Sequence, residues 1–249
     1  MMAVPSLSIL EPVKLRSGGE HVADRLVTAI ALGEFVPGQR LPSERELAAT
    51  LGVSRTTVRE AIQRLSALGY LEVRRGRTGG AYVLQGMGPE ANEMIRRTLL
   101  PEWSNLERVL DFRQLVEPLI ARTAAERIVD DDVGPIRAAL EGYLAAGSDR
   151  EASRAADEAV HETIAMATGN PYLASLSAQI RRQISLGFGA EPYSAEIRAR
   201  AIKDHTALAE AVIGRRPAPA ARVAARHFRL TETVLRELVS RISARAGEA

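Results

Sequence analysis

Apolar positions along the chain follow two rhythms. From residue 20 to about 84 the pattern changes every ten residues or so; from about 89 onward only helical periodicity is found, broken by Pro and Gly. Val22, Leu26 and Ile30 predict a helix from Glu20 to Leu32, closed by Gly33 and followed by a Pro37-Gly38 turn. Ser43 three residues before Glu46 is a capping box, and Leu47 and Leu51 give the second helix its buried face. Gly52 ends that helix, and Val53 is placed to plug the core. Ser54 caps a third helix whose inward positions are Val58, Ile62, Leu65 and Leu68. Leu71–Arg74 and Ala81–Leu84 then read as two strands around the glycine-rich tip Arg75–Gly80. Three helices and a small β-hairpin make a winged helix-turn-helix.

The rest is all helical, with candidates at 90–99, 105–129, 131–146, 149–168, 171–188, 194–214 and 218–243. The expected fold is therefore mainly α: a winged helix-turn-helix domain over 1–84, a linker at 85–89, and an all-α C-terminal helical bundle over 90–249. The linker rests on Gly86, Gly88 and Pro89, which end the hairpin without starting another element.

Composition narrows the function classes. The absence of cysteine removes disulfides, thiolate metal sites and cysteine nucleophiles. Residues 1–16 lack the pattern of a signal peptide and no run reaches membrane-spanning length, so a cytoplasmic protein with no membrane partner is expected. The net charge of +2 is small, but its distribution is uneven: six Arg and two Glu fall between residues 54 and 77. Lys occurs only at 14 and 203, so the high Arg content reflects a general bias, and the positions of the Arg residues carry more meaning than their number.

In a winged helix-turn-helix the third helix enters the major groove with its first residues nearest the bases. Here these are Ser54, Arg55, Thr56 and Thr57, with Arg59 a turn further on. Arg bonds bidentately to guanine, Thr offers hydroxyl and methyl, and the helix N-terminus can meet phosphate. Arg45 can reach the backbone or an adjacent base. At the wing, Gly76 permits close approach to the minor groove while Arg75 and Arg77 supply charge. The same residues would also suit a solvated face of a protein-binding winged helix.

The run Gly33–Ala48 followed by Leu51–Ala61, which contains the order of turn, caps and third helix, resembles the GntR superfamily of bacterial regulators. The resemblance covers nearly all of residues 20–84. It implies that Arg45, Ser54, Arg55, Thr56, Thr57 and Arg59 are DNA contacts, that Arg75 and Gly76 form the wing contact, and that a homodimer binds a near-palindromic operator.

Three of the four histidines lie in the helical region. Asp157 and His161 are one turn apart on a single helix face. His205 and His227 flank the turn at 214–217 and are equidistant from residue 216, so an antiparallel helix pair brings them level, each about 16 Å from the turn. If the helix carrying Asp157 packs alongside, three imidazoles and a carboxylate meet, a set suited to Zn²⁺ and similar divalent ions. Buried hydrogen-bonded histidines and a local Asp157–His161 ion pair would give the same spacing.

Asp157 to His161, followed by Gly169-Asn170-Pro171 and then His205 and His227, resembles the FCD branch of the superfamily, also called FadR-like. That likeness implies a metal held by Asp157, His161, His205 and His227, with Zn first and Ni, Mn or Fe as alternatives. It also implies that Arg113 points into the cavity to hold an effector carboxylate. Without it, Arg113 is simply the i,i+4 partner of Glu117. Asn170 suits the N-cap of the next helix. Arg181 and Arg182 are both candidates to line the pocket, and spacing does not separate them.

The expected function is a non-enzymatic transcription regulator, a repressor controlled by a small carboxylated metabolite. The competing expectations are a metal-dependent hydrolase or lyase, and a regulator whose metal is purely structural.

Overall fold

Serine caps open the first three helices. In the computed structural model, which describes residues 16–76, 79–86, 88, 90–147, 149–184 and 195–244, α1 spans Gly18–Ala31. It starts two residues before the expected Glu20 because Ser17 and Glu20 form a capping box of their own: Ser17 Oγ accepts from the Glu20 amide, and the Glu20 carboxylate accepts from the Ser17 amide. Helix α2, Glu44–Leu51, has the expected Ser43–Glu46 box and ends at Gly52 in the left-handed region, with φ 66°. Helix α3, Arg55–Ala67, is capped by Ser54, which accepts from the Thr57 amide. Its inward residues are Val58, Ala61, Ile62 and Leu65, whereas Leu68 caps the C-terminus and is 38% exposed. Helix α1 crosses α3 at Gly19, where a Cβ would stand 2.9 Å from the Cβ of Glu60; only glycine allows that approach.

Strands β1, Leu71–Arg74, and β2, Gly80–Val83, pair antiparallel with Leu71 opposite Val83. Leu71, Ala81 and Val83 face the core. The second strand lies one residue earlier than the pattern suggested. Arg77 lies outside the described residues.

Helix α4, Glu90–Arg127, is continuous over 38 residues, where the sequence suggested separate helices at 90–99 and 105–129. Pro101 sits inside it and removes one backbone hydrogen bond, a loss of about 3 kcal/mol in an isolated helix. The buried stripe nevertheless continues across it: Leu99, Leu106, Leu110, Arg113, Glu117, Ile120 and Ala124 all lie on the covered side. Burying leucines on both sides of the proline outweighs the break, because each contributes about 1.5–3 kcal/mol.

The remaining helices are α5 (Asp130–Ala145), α6 (Arg150–Met166), α7 (Pro171–Ile184), α8 (Ala195–Ile213) and α9 (Pro217–Ala244). Asn170 Oδ1 accepts from the Tyr172 amide and caps α7. No helix among the described residues is long and apolar enough to cross a membrane.

Two hydrophobic clusters run through the molecule. The first joins the winged-helix core to Met94, Leu99, Leu106 and Leu110 of α4, Ile180 and Ile184 of α7, and Leu235, Leu238 and Ile242 of α9. The second holds Ala121, Ala124 and Ala125 of α4 with residues of α5, α6, α8 and the first half of α9, from Ala220 to Phe228. Helices α4 and α9 therefore pack antiparallel, the start of one against the end of the other. Asp24 of α1, only 3% exposed, ties the winged helix to α4: Arg97 donates to both its oxygens, at 3.0 and 3.2 Å, and Arg16 also donates to its Oδ2.

Candidate functional site

Between the two clusters the α4–α9 stripe turns polar. On α4 the covered positions are Arg113 and Glu117; on α9 they are His227 and Thr231, each less than 9% exposed. Positions that elsewhere carry Leu or Ala here carry polar groups, three of them ionisable, and burying such groups is costly unless they are paired or used.

His161 of α6, His205 of α8 and His227 of α9 complete this layer. Their Nε2 atoms are 3.2 Å apart in all three pairings. Two nitrogens bound at about 2.0–2.1 Å to one tetrahedral Zn²⁺ lie about 3.3–3.4 Å apart, so the spacing fits a shared ion. Burial pushes the imidazoles of His161 and His227 well below the usual histidine range, with neighbouring positive groups adding to it. Neutral rings keep a nitrogen lone pair available for a metal. Three imidazoles facing each other by the same ring nitrogen are otherwise a poor arrangement, since each Nε2–H can donate to only one neighbour. The three histidines form a group able to hold a metal ion.

Asp157 stands at the rim, 31% exposed, with Oδ1 3.4 Å from His205 Nε2 and Oδ2 3.8 Å from His161 Nε2. Asp204 lies behind the cluster. Arg226 donates to its Oδ1 from Nε at 2.8 Å and from Nη2 at 2.5 Å, while its Oδ2 is 3.9 Å from His227 Nδ1. Spacing alone did not single out Asp204; its position directly before His205, with Arg226 directly before His227, was the available signal.

Arg113 is 1% exposed and is the largest fully buried side chain among the described residues. Its Cζ lies 4.2 Å from the centre of the Phe228 ring, and that ring is 5.0 Å from both His161 and His227. It is a buried cation one ring away from the imidazoles, not a surface residue of α4. Glu117 accepts from Ser177 Oγ of α7 at 2.8 Å.

The DNA-facing candidates form a separate exposed surface. Arg45, Ser54, Arg55, Thr56 and Arg59 are exposed at the adjoining ends of α2 and α3, and Thr57 is half-buried beneath Ser54. Ser54 and Thr57 share a 2.8 Å hydroxyl hydrogen bond. Arg59 donates to both oxygens of Glu44, at 3.0 and 2.6 Å, and this pairing holds the Glu44 carboxyl below its ordinary range. Arg75 is exposed on the wing next to Gly76, whose φ of 103° calls for glycine.

Residues 19–83 match the model of the bacterial regulatory proteins of the gntR family, and residues 108–230 match that of the FCD domain. An HTH-type transcriptional regulator of Mycobacterium tuberculosis is 36% identical over 172 residues, which cover 68% of this chain and 69% of the relative. The galactonate operon transcriptional repressor of Escherichia coli is 35% identical over 169 residues, covering 63% of this chain and 71% of the repressor. The chain belongs to the gntR family. This gntR-family protein is thus a DNA-binding transcription regulator with an FCD ligand-binding domain, and not an enzyme. Regulators of this family bind operator DNA, and FCD domains bind small effectors and often metals.

Proposed function

We propose that this regulator is a cytoplasmic repressor that binds a near-palindromic operator as a homodimer and is controlled by a small organic acid. Arg45, Ser54, Arg55, Thr56, Thr57 and Arg59 contact operator DNA, and Arg75, Gly76 and Arg77 form the wing contact. Asp157, His161, His205 and His227 hold a divalent metal, Zn²⁺ first and Ni, Mn or Fe as alternatives. The observation that carries this reading is the meeting of three buried imidazole nitrogens next to the buried guanidinium of Arg113. When bound, the ion supplies a Lewis-acidic anchor for a carboxylate; Arg113 supplies a planar, permanently charged donor for the same acid.

Two further observations support it. The relative named for the galactonate operon is a repressor, and galactonate is an organic acid. The polar layer adjoins the hydrophobic cluster that α4, α7 and α9 share with the winged helix. An acid that favours one arrangement of these helices therefore acts on the packing that carries the DNA-reading elements, and its differential affinity for the two arrangements drives the response.

Helix α4 also exposes Phe112, Leu115 and Leu119 along one stripe, 42%, 68% and 53% exposed, and this face suits packing against a second copy. Light scattering should return the mass of two chains; a monomer both alone and on DNA would refute the dimer. Arg113→Ala tests the sensor. The variant should keep its metal and its operator affinity but lose the response to the acid. A response at the native acid concentration would remove Arg113 from the effector site.

A further inference from the structure

Arg40 stands inside the run Gly33–Ala48 but outside the DNA contacts proposed above. It forms an antiparallel bridge with Tyr82 of β2, and the Leu41 amide donates to the Ala81 carbonyl oxygen at 2.8 Å, so the segment before α2 lies along the hairpin as a short third strand. Bridge partners project from the same face of a sheet. Leu41, Ala81 and Val83 face the core, which turns Arg40 and Tyr82 outward, and Arg40 is exposed. Its side chain follows β2 toward the wing tip and passes over Gly80: a Cβ there would stand 2.5 Å from Arg40 Nε, 3.2 Å from Cδ and 3.3 Å from Cγ. Glycine alone leaves that path open, and the Gly80 φ of 149° also favours it. Arg40 is also within electrostatic reach of the first turn of α2, where the Glu46 carboxyl is held below its ordinary range by its bonds to Ser43, with Arg45 and then Arg40 adding to the effect. The other cation on this face of the sheet, Arg74, is committed: it donates to Glu72 from Nε at 3.0 Å and from Nη2 at 2.7 Å, and its Cζ lies 4.2 Å from the centre of the Tyr82 ring. The Arg40 guanidinium makes no hydrogen bond or ion pair among the described residues.

We infer that Arg40 is a further DNA contact, a phosphate-binding residue that meets the sugar–phosphate backbone between the groove read by α3 and the groove entered by the wing. The inference rests on the DNA-facing surface proposed above and adds a residue to it. With α3 in the major groove and the wing over the adjacent minor groove, one backbone strand passes between the two elements. Arg40 belongs to neither element. It lies on the strand bonded to the wing and close to the helix turn that carries Arg45, which is where that backbone runs. A planar guanidinium suits the oxygens of a phosphate, to which it can donate two parallel hydrogen bonds. Laid over Gly80, the side chain has already given up rotamers that a freely moving arginine would lose on binding. Contacts of this kind fix the register of a protein on the duplex and carry no base information of their own.

Fluorescence-anisotropy titrations of the full-length protein over a series of salt concentrations test this. The probes are the duplex that the native protein selects from a random-sequence pool and a scrambled duplex of the same composition. Arg40→Gln should bind both duplexes about three- to tenfold more weakly near physiological salt, and the slope of log affinity against log salt should flatten by about one for each bound chain. Arg40→Lys keeps the charge and should keep the native slope. Arg137→Gln removes an exposed charge from α5 and should match the native protein on both duplexes. If Arg40→Gln melts early, Arg40→Met, which keeps the stem over Gly80, carries the same expectation. Native affinity and slope in the position-40 variant, a loss confined to the selected duplex, a slope flattened as much by Arg40→Lys, or an equal loss in Arg137→Gln each overturns the phosphate contact. Arg55→Ala separates this inference from the reading beneath it. If Arg55→Ala weakens binding and Arg40→Gln does not, Arg40 alone leaves the surface; if both variants bind as the native chain does, the whole surface is misplaced and Arg40 with it.

Discussion

The native chain should purify with about one divalent ion, and the double variant His205→Ala/His227→Ala should emerge without stoichiometric metal. The three Nε2 atoms converge from three different helices, so no single helix can hold the ion alone. Dividing an apparent binding free energy of about 10–16 kcal/mol among four ligands gives about 3 kcal/mol each. Losing two then weakens binding by roughly four orders of magnitude, enough to empty the site on dialysis. Elemental analysis measures this directly, and gel shifts on the same samples measure the consequence. The double variant should still bind operator DNA, because the exposed ends of α2 and α3 are intact, but added organic acid should no longer change that binding. Full metal occupancy in the double variant would show that the ion, if any, sits elsewhere.

On the surface proposed to contact DNA, Arg55→Ala and Arg59→Ala should each weaken operator binding by about 1–3 kcal/mol, or roughly 5- to 150-fold. Both residues project from the exposed face of α3 near its capped end. Arg59 is held in a fork by Glu44, which limits the rotamers its guanidinium must give up on contacting a base. Arg75→Ala on the wing should behave differently: affinity falls on every sequence, and the slope of log affinity against log salt flattens by about one. Titrations at several salt concentrations, on operator and on unrelated DNA, separate the two effects. Native operator affinity in both α3 variants would remove this face from DNA recognition.

The amino-acid sequence alone was enough to locate the caps and turns. Ser43, Gly52 and Ser54 act within four residues of their own position, and such signals do not depend on the rest of the chain. The levelling of His205 with His227 was legible for a similar reason, since a tight turn between two helices fixes which residues come opposite each other. The approach of His161 required a helix 44 residues away from His205, and only its likeness to a known motif pointed there.

Other features were settled by contacts between distant segments. Pro101 reads as a helix break, yet α4 passes through it because leucines on both sides are buried by α1 and α9. Asp24 and Arg97 are 73 residues apart and pair only because α1 lies on α4. Arg113 looks from its neighbours like half of a surface ion pair, and the packing of α9 over it makes it a buried cation. Local pattern determines where a helix starts and which of its residues could face inward. Which inward positions meet an apolar partner, and which meet three imidazoles, is set by long-range packing, because burial depends on what the rest of the chain brings to that face.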